Sequence, residues 1–243
     1  MRFLSVLFLV CLCSAQTVTV GFSKDKPPYV IEKVNKGFEV ELIQEIFKQM
    51  GYTVQAKYFD QRRLANLDKM VGVDATATVK KSDNSVLFYS DEYIEFNDFA
   101  ITLDSDLELS SVADLKGMTV GAWKNASDEL GTAFSEFVAS SPKKAYHEYG
   151  DAKSRILGLW NQNVSVIFSD ELIYYWFRLK LSQDGISPKE VKFHDIFKTP
   201  TKYRMAFKDK ELCLKFNKAL KVFKSSGEYK KLREKHIQHL KTN

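Results

Sequence analysis

The sequence is poor in the residues that staple, break or metallate a chain. Its 243 residues include three cysteines, five prolines and four histidines. Cys11 and Cys13 fall in an apolar N-terminal run, so Cys213 stands alone beyond it and no internal disulfide framework is possible. Cys213 lies in the apolar pattern of a helix and reads as a small core residue, not a nucleophile. With so few prolines there is no Pro-rich linker, and neither repeats nor low-complexity segments occur. His147, His194, His236 and His239 are scattered; the last two share a helix face and read as solvated, not as metal ligands. Gly-x-Ser-x-Gly, His-Glu-x-x-His and phosphate-loop patterns are all missing. No catalytic residue, metal or cofactor is therefore expected. The excess of charge is also small: 36 basic against 31 acidic residues, spread along the chain. That excludes the concentrated basic face of a nucleic-acid binder. The lysine-rich end, Lys221 to Lys241, reads as a solvated helix face.

What is present begins with a targeting segment. Met1-Arg2 is positive, Phe3 to Cys13 is apolar, and Cys13-Ser14-Ala15 offers small residues for cleavage. The run is too short to span a bilayer comfortably. Residues 1–15 are thus expected to be a cleaved signal peptide, with the protein secreted or periplasmic. Cleavage takes 15 of the 243 residues and leaves 228; it also removes Arg2, leaving 35 basic against 31 acidic residues, a net +4. A chain of that length can bury its own core without disulfides.

Strands and helices then alternate. Thr17 to Phe22 and Tyr52 to Phe59 read as strands. Between them Phe38, Leu42, Ile43, Ile46, Phe47 and Met50 fall on one face of a helix that stops at Gly51. Val73 to Val79 alternates strictly, with Asp74, Thr76 and Thr78 on the face suited to a ligand's approach. A polar break from Lys80 to Ser85 and an apolar run from Val86 to Tyr89 follow. Phe99 to Leu103 reads as a crossing into a second unit. That unit contains strands at Met118 to Trp123, Tyr146 to Tyr149 and Val164 to Phe168. Ser127 is expected to N-cap the helix of Leu130, Phe134 and Phe137. A return near Phe197 to Tyr203 leads to two closing helices broken at Ser225-Ser226-Gly227. This order predicts an α/β fold of two lobes, residues 17–102 with 200–243 and residues 103–199, each a mostly parallel sheet flanked by helices.

Several short motifs carry a family resemblance over the mature chain. They are Gly37-Phe38-Glu39-Val40-Glu41-Leu42, Gly51-Tyr52, Tyr89-Ser90-Asp91-Glu92-Tyr93, Asp114-Leu115-Lys116-Gly117, and Val166-Ile167-Phe168-Ser169-Asp170 with Tyr174-Tyr175. In these it resembles the type-3 extracellular solute-binding proteins, the amino-acid receptors of ABC importers. The resemblance implies the type II periplasmic-binding-protein fold and hinge closure around a small polar, amino-acid-like or amine ligand. Implied partners are that ligand and an ABC permease or receptor, with the protein a monomer. Carried over by position, it implies Tyr29 and Phe59 as packing against the ligand, Thr78 and Ser127 toward a carboxylate, and Asp170 toward an ammonium. The family's carboxylate-binding arginine falls on Asp83, which leaves Lys80 or Lys81 as its replacement. The family's glycine before the second-lobe helix is Asn125. Asp170 and Tyr29 also admit structural readings, as a helix N-cap and a core residue.

Two rivals stand beside this reading. One is a dehydratase-type enzyme on the same fold with Glu171 or Asp170 as acid or base. The other is a diverged binding module that contacts a receptor or transporter without taking an amino acid.

Overall fold

A computed structural model describes residues 16–241; the expected signal peptide lies outside them. The first lobe opens with β1 (Gln16–Ser23), α1 (Phe38–Gln49) and β2 (Tyr52–Phe59), followed by α2 (Gln61–Leu64), β3 (Ala75–Val79), β4 (Phe88–Tyr89) and β5 (Ile94–Phe96). The second contains β6 (Asp98–Thr102), β7 (Val120–Trp123), α3 (Ala126–Glu129), α4 (Thr132–Ser140), β8 (Tyr146–Tyr149), α5 (Ala152–Trp160), β9 (Val166–Asp170), α6 (Glu171–Gln183) and β10 (Lys192–His194). The chain returns through β11 (Thr201–Phe207) to α7 (Lys210–Ser225) and α8 (Glu228–Lys241).

Two separate sheets result. The first runs β2-β1-β3-β11-β4, with β5 paired to β11; the second runs β10-β6-β9-β7-β8. Both are mixed. β1 pairs in parallel with β2 and β3, and β7 in parallel with β8 and β9. The segments that cross between lobes add antiparallel strands: β11 to the first sheet, and β6 with β10 to the second. The change of sheet falls at Asn97, between β5 and β6. The sequence reading placed residues 98–102 in the first lobe. They pair instead with β9, because Ala100 and Ile101 are fully buried in second-lobe clusters. β10, three residues long, was not foreseen.

The cores follow the apolar periodicities. Phe38, Leu42, Ile43, Ile46 and Phe47 of α1 pack with Val20, Phe22, Phe207 and Phe216. In the second lobe Phe134 meets Phe168 at 4.9 Å between ring centroids, nearly edge-on. Gly37 is constrained by its surroundings. Its φ is +120°, and a Cβ there would lie 2.3 Å from the Tyr29 carbonyl oxygen, so only glycine lets α1 start against the Tyr29 loop.

β3 differs from expectation in one respect. All five of its residues are buried, and its hydroxyl face is used internally: Thr76 donates to the Leu64 carbonyl. The second-lobe helix is also split. Asn125 with φ +67°, not Ser127, caps α3, and Gly131 starts α4. A left-handed cap explains why glycine suits this turn and why asparagine, which tolerates that conformation, can replace it.

Candidate functional site

The cleft between the lobes collects groups from the carboxyl ends of strands in both sheets, where open α/β sheets place their ligands. Tyr29 and Asp170 meet across it. The Tyr29 hydroxyl lies 3.1 Å from both carboxylate oxygens of Asp170, and each residue is 3% exposed. Asp170 also accepts from the backbone N–H groups of Leu172 and Ile173, as the N-cap of α6, and from that of Asn97. Helix cap and inter-lobe contact thus coincide in the one side chain that the resemblance directs at an ammonium. Burial pushes its carboxyl up to about 6, against the opposing pull of these donors. The Tyr29 hydroxyl is pushed well above its ordinary value by burial and by the neighbouring Asp170 charge.

On the first-lobe side a buried polar network sits beneath Tyr29. Glu39 of α1, fully buried, accepts from the Thr78 and Tyr93 hydroxyls. Tyr93 in turn accepts the Thr78 N–H at 2.9 Å. Both polar groups of Thr78 that the resemblance directs at a carboxylate are therefore engaged within the protein. The second oxygen of Glu39 has only Lys26, 4.0 Å away. The Lys26 ammonium also lies 4.4 Å from the centroid of the Phe96 ring, a cation–π contact. Burial lowers the pKa of this lysine despite four acidic neighbours. Phe96 packs on Tyr29 at 4.3 Å and on Tyr203 at 5.4 Å, giving the cleft an aromatic wall.

The second-lobe side is acidic. Asp98 is directly opposite Asp170 in the antiparallel β6–β9 pair, so their side chains share a face. With Glu129 it lines a cavity of about 210 Å3 bounded by Phe197, Thr199 and Pro200. Burial, then the charges of Asp170 and Glu129, push the Asp98 carboxyl up to about 7, and Arg155 and Lys26 only partly offset this. Arg155 of α5 is 4% exposed and faces the Trp123 ring at 5.8 Å. Its guanidinium makes one hydrogen bond among the described residues, a long one, 3.4 Å to the Ser169 hydroxyl. Burial holds its guanidinium down at about 10.

The remaining expected residues lie further out. Phe59 packs beside Leu64 and Val79 under the Arg63 guanidinium, 5.1 Å from its ring centroid. Lys80 reaches across the cleft to the Glu129 carbonyl at 3.2 Å. Lys81 pairs with Asp83 at 3.8 Å, with the Asp83 side chain 93% exposed; both face away from the cleft. Ser127 sits in the first turn of α3, whose Asp128 pairs with Arg62 of the first lobe at 3.6 Å. Sequence reasoning passed over Glu39, Asp98 and Arg155. Two of them left a signal: Glu39 shares its helix face with Leu42, Ile43 and Ile46, and Arg155 shares its own with Ile156 and Leu159. A charge on an apolar helix face needs a partner or a ligand.

Comparison with known proteins agrees with this architecture. Residues 18–239 match the family of bacterial extracellular solute-binding proteins, family 3, and the chain belongs to it. It is 28% identical over 230 residues to the arginine-binding extracellular protein ArtP of Bacillus subtilis, covering 89% of this chain and 84% of that one. It is 23% identical to the ABC transporter arginine-binding protein 1 of Escherichia coli, covering 90% of each. Among solved structures it resembles the arginine-, lysine-, histidine-binding protein ArtJ of Geobacillus stearothermophilus. There the TM-score is 0.67 at 22% identity, over 92% of this chain and 96% of that one. A histidine kinase sensor domain similar to periplasmic binding proteins superposes with a TM-score of 0.71 at 18% identity, over 91% and 96%.

Proposed function

We propose that this family 3 solute-binding protein captures an amino acid with a cationic side chain in the inter-lobe cleft. It closes on that ligand and delivers it to an ABC permease, and it does no chemistry on it. The observation that carries the cationic preference is the Asp98–Asp170–Glu129 cluster. Asp98 lies opposite Asp170 and shares a cavity with Glu129, and among the described residues none of the three carboxylates is in an ion pair, so the free cleft is short of positive charge; burial adds to this by holding two of them above their ordinary range. Of the cations nearby, Lys26 lies against Glu39, Lys80 donates to the Glu129 backbone carbonyl, and among the described residues Arg155 makes no ion pair. A guanidinium or ammonium arriving from solution would relieve that shortage, while an acidic ligand would deepen it. The aromatic wall of Tyr29, Phe96 and Tyr203 supplies flat faces for the aliphatic and cationic parts of such a side chain. The arginine-binding proteins among its relatives support the same choice.

Closure is hinged at Asn97 and at the return between β10 and β11. Tyr29–Asp170, Lys80–Glu129 and Arg62–Asp128 are contacts that opening must break. The protein acts outside the membrane or in the periplasm, after removal of residues 1–15, as a monomer. A thermal-shift screen of the purified chain against amino acids and amines tests the proposal, because a ligand of the folded state raises the melting temperature by mass action. Arginine, lysine or ornithine should raise it at pH 8, and glutamate and aspartate should not. A screen answered only by acidic or apolar amino acids would refute the assignment.

A further inference from the structure

Arg155 is a buried guanidinium that no carboxylate among the described residues holds. It projects from the first turn of α5 beside the carboxyl ends of β7 and β9, 5.8 Å from the centroid of the Trp123 ring and 3.4 Å from the Ser169 hydroxyl. Its Nε is buried with no acceptor, and among the described residues no carboxylate forms an ion pair with it. The charge that acts on it most strongly is Asp98, which lines the cleft cavity. Guanidinium is a rigid fork of five donors suited to carboxylate, and burying one unpaired is unfavourable unless something arrives to pair with it. The loop after β3 sends one cation to the cleft, Lys80, which lies 6.0 Å from the centroid of the Tyr203 ring on the aromatic wall, away from Arg155's partners Trp123 and Ser169. Asp83 there is solvent-exposed and bound to Lys81, and Lys80 is committed to a carbonyl on α3.

We propose that Arg155, from the second lobe, is the anion-binding residue of the cleft and receives the carboxylate of the ligand. The fork spends one terminal N–H on the Ser169 hydroxyl beside the Trp123 face, leaving Nε and the unshared terminal N–H groups for the ligand. Asp170 stands next to Ser169 on β9, so one α-amino acid head group finds both of its counter-charges within the same lobe, and Asp98 and Glu129 of the cavity remain for the cationic side chain. The arrangement rests on the cationic amino-acid reading given above. It adds that the ligand must carry a carboxylate as well as a cation, and that the second lobe alone reads that head group.

Arginine and agmatine, which is arginine without its carboxylate, separate the two claims. Calorimetric titration of the wild-type chain should give clearly tighter binding of L-arginine than of agmatine. In Arg155→Gln the affinity for arginine should fall about 30-fold or more, the range expected when one partner of a buried hydrogen-bonded ion pair is removed. Agmatine should bind that variant as well as it binds the wild type, so the ratio collapses toward one. Agmatine, which needs no anion site, also reports that the variant is folded. Should Arg155→Gln not fold, Arg155→Lys carries the test: it keeps a point charge but not the fork, and should lose part of the ratio. A ratio unchanged in either folded variant, or agmatine matching arginine in the wild type, overturns the role of Arg155 and leaves the cationic reading standing. Absence of binding by either compound to the wild type overturns both.

Discussion

Replacing Asp98 by asparagine should stabilise the ligand-free protein at alkaline pH while weakening its hold on a cation. The carboxyl titrates at about 7 in the folded chain against an ordinary 3.8. A carboxyl raised on folding keeps its proton to higher pH than it does when unfolded. The folded state then binds more protons between these two values, and stability falls as pH rises through that window. Above it the full difference applies: about 3 pH units at about 1.4 kcal/mol each, or about 4 kcal/mol. Asp98 is coupled to Asp170, which shares the proton affinity of the pair, and it retains some solvent access. Both effects reduce the figure to about 2 kcal/mol. In a chain of this size that corresponds to a rise in Tm of roughly 4–8 °C for Asp98→Asn at pH 8. At pH 4 the two proteins should melt together, since Asp98 is already neutral in the folded state. The assay is thermal denaturation of both proteins across pH 4–8 without ligand. A variant that is less stable than the wild type at pH 8, or equally shifted at every pH, would refute the reasoning. Either result would mean that Asp98 is a satisfied structural group and that the cleft carries no surplus of negative charge.

Three further outcomes follow from the same geometry. Affinity for a cationic ligand should rise between pH 5.5 and 8 as Asp98 and Asp170 ionise, with protons released on binding; titrations in buffers of different ionisation enthalpy detect that release. Tyr93→Phe removes the group that links the Thr78 N–H to Glu39 and should cost about 1.5–3 kcal/mol in denaturant unfolding, since one bond is to a buried carboxylate. Gly37→Ala should cost at least about 1–3 kcal/mol through its positive φ, with the clash against the Tyr29 carbonyl in addition, and should weaken ligand binding through the displaced Tyr29 loop.

Much of the fold was legible because it is written in local periodicity. The helical face of α1 and its stop at Gly51, the alternation of β2 and the break at Ser225-Ser226-Gly227 all appear in the structure within a residue or two. Two features were not legible because they depend on partners distant in sequence. Residues 98–102 look like any apolar crossing until β9, some 65 residues later, takes them into the second sheet. The apolar run Val86 to Tyr89 gives no sign of its pairing: only Phe88–Tyr89 forms a strand, against β11, and Val86 is largely exposed. The site divides in the same way. Tyr29 and Asp170 were singled out by their positions in the family resemblance, and the structure brings the two into contact. Asp98 carries no local signal, because its significance is that it lies opposite Asp170 on the neighbouring strand. The hydroxyl-bearing face of β3 suggested an open ligand surface; the deciding residue was Glu39, which lies 39 positions earlier than Thr78 and takes its hydroxyl.

The most direct measurement of the central claim is a calorimetric titration of the mature chain at pH 8 with L-arginine and, separately, with L-glutamate. The two ligands share the same α-amino acid head group and differ in the sign of the side-chain charge. The account predicts saturable one-to-one binding of arginine and no detectable heat of binding with glutamate. Binding of glutamate in preference to arginine would contradict it, because the Asp98–Asp170–Glu129 cluster would then face an anion.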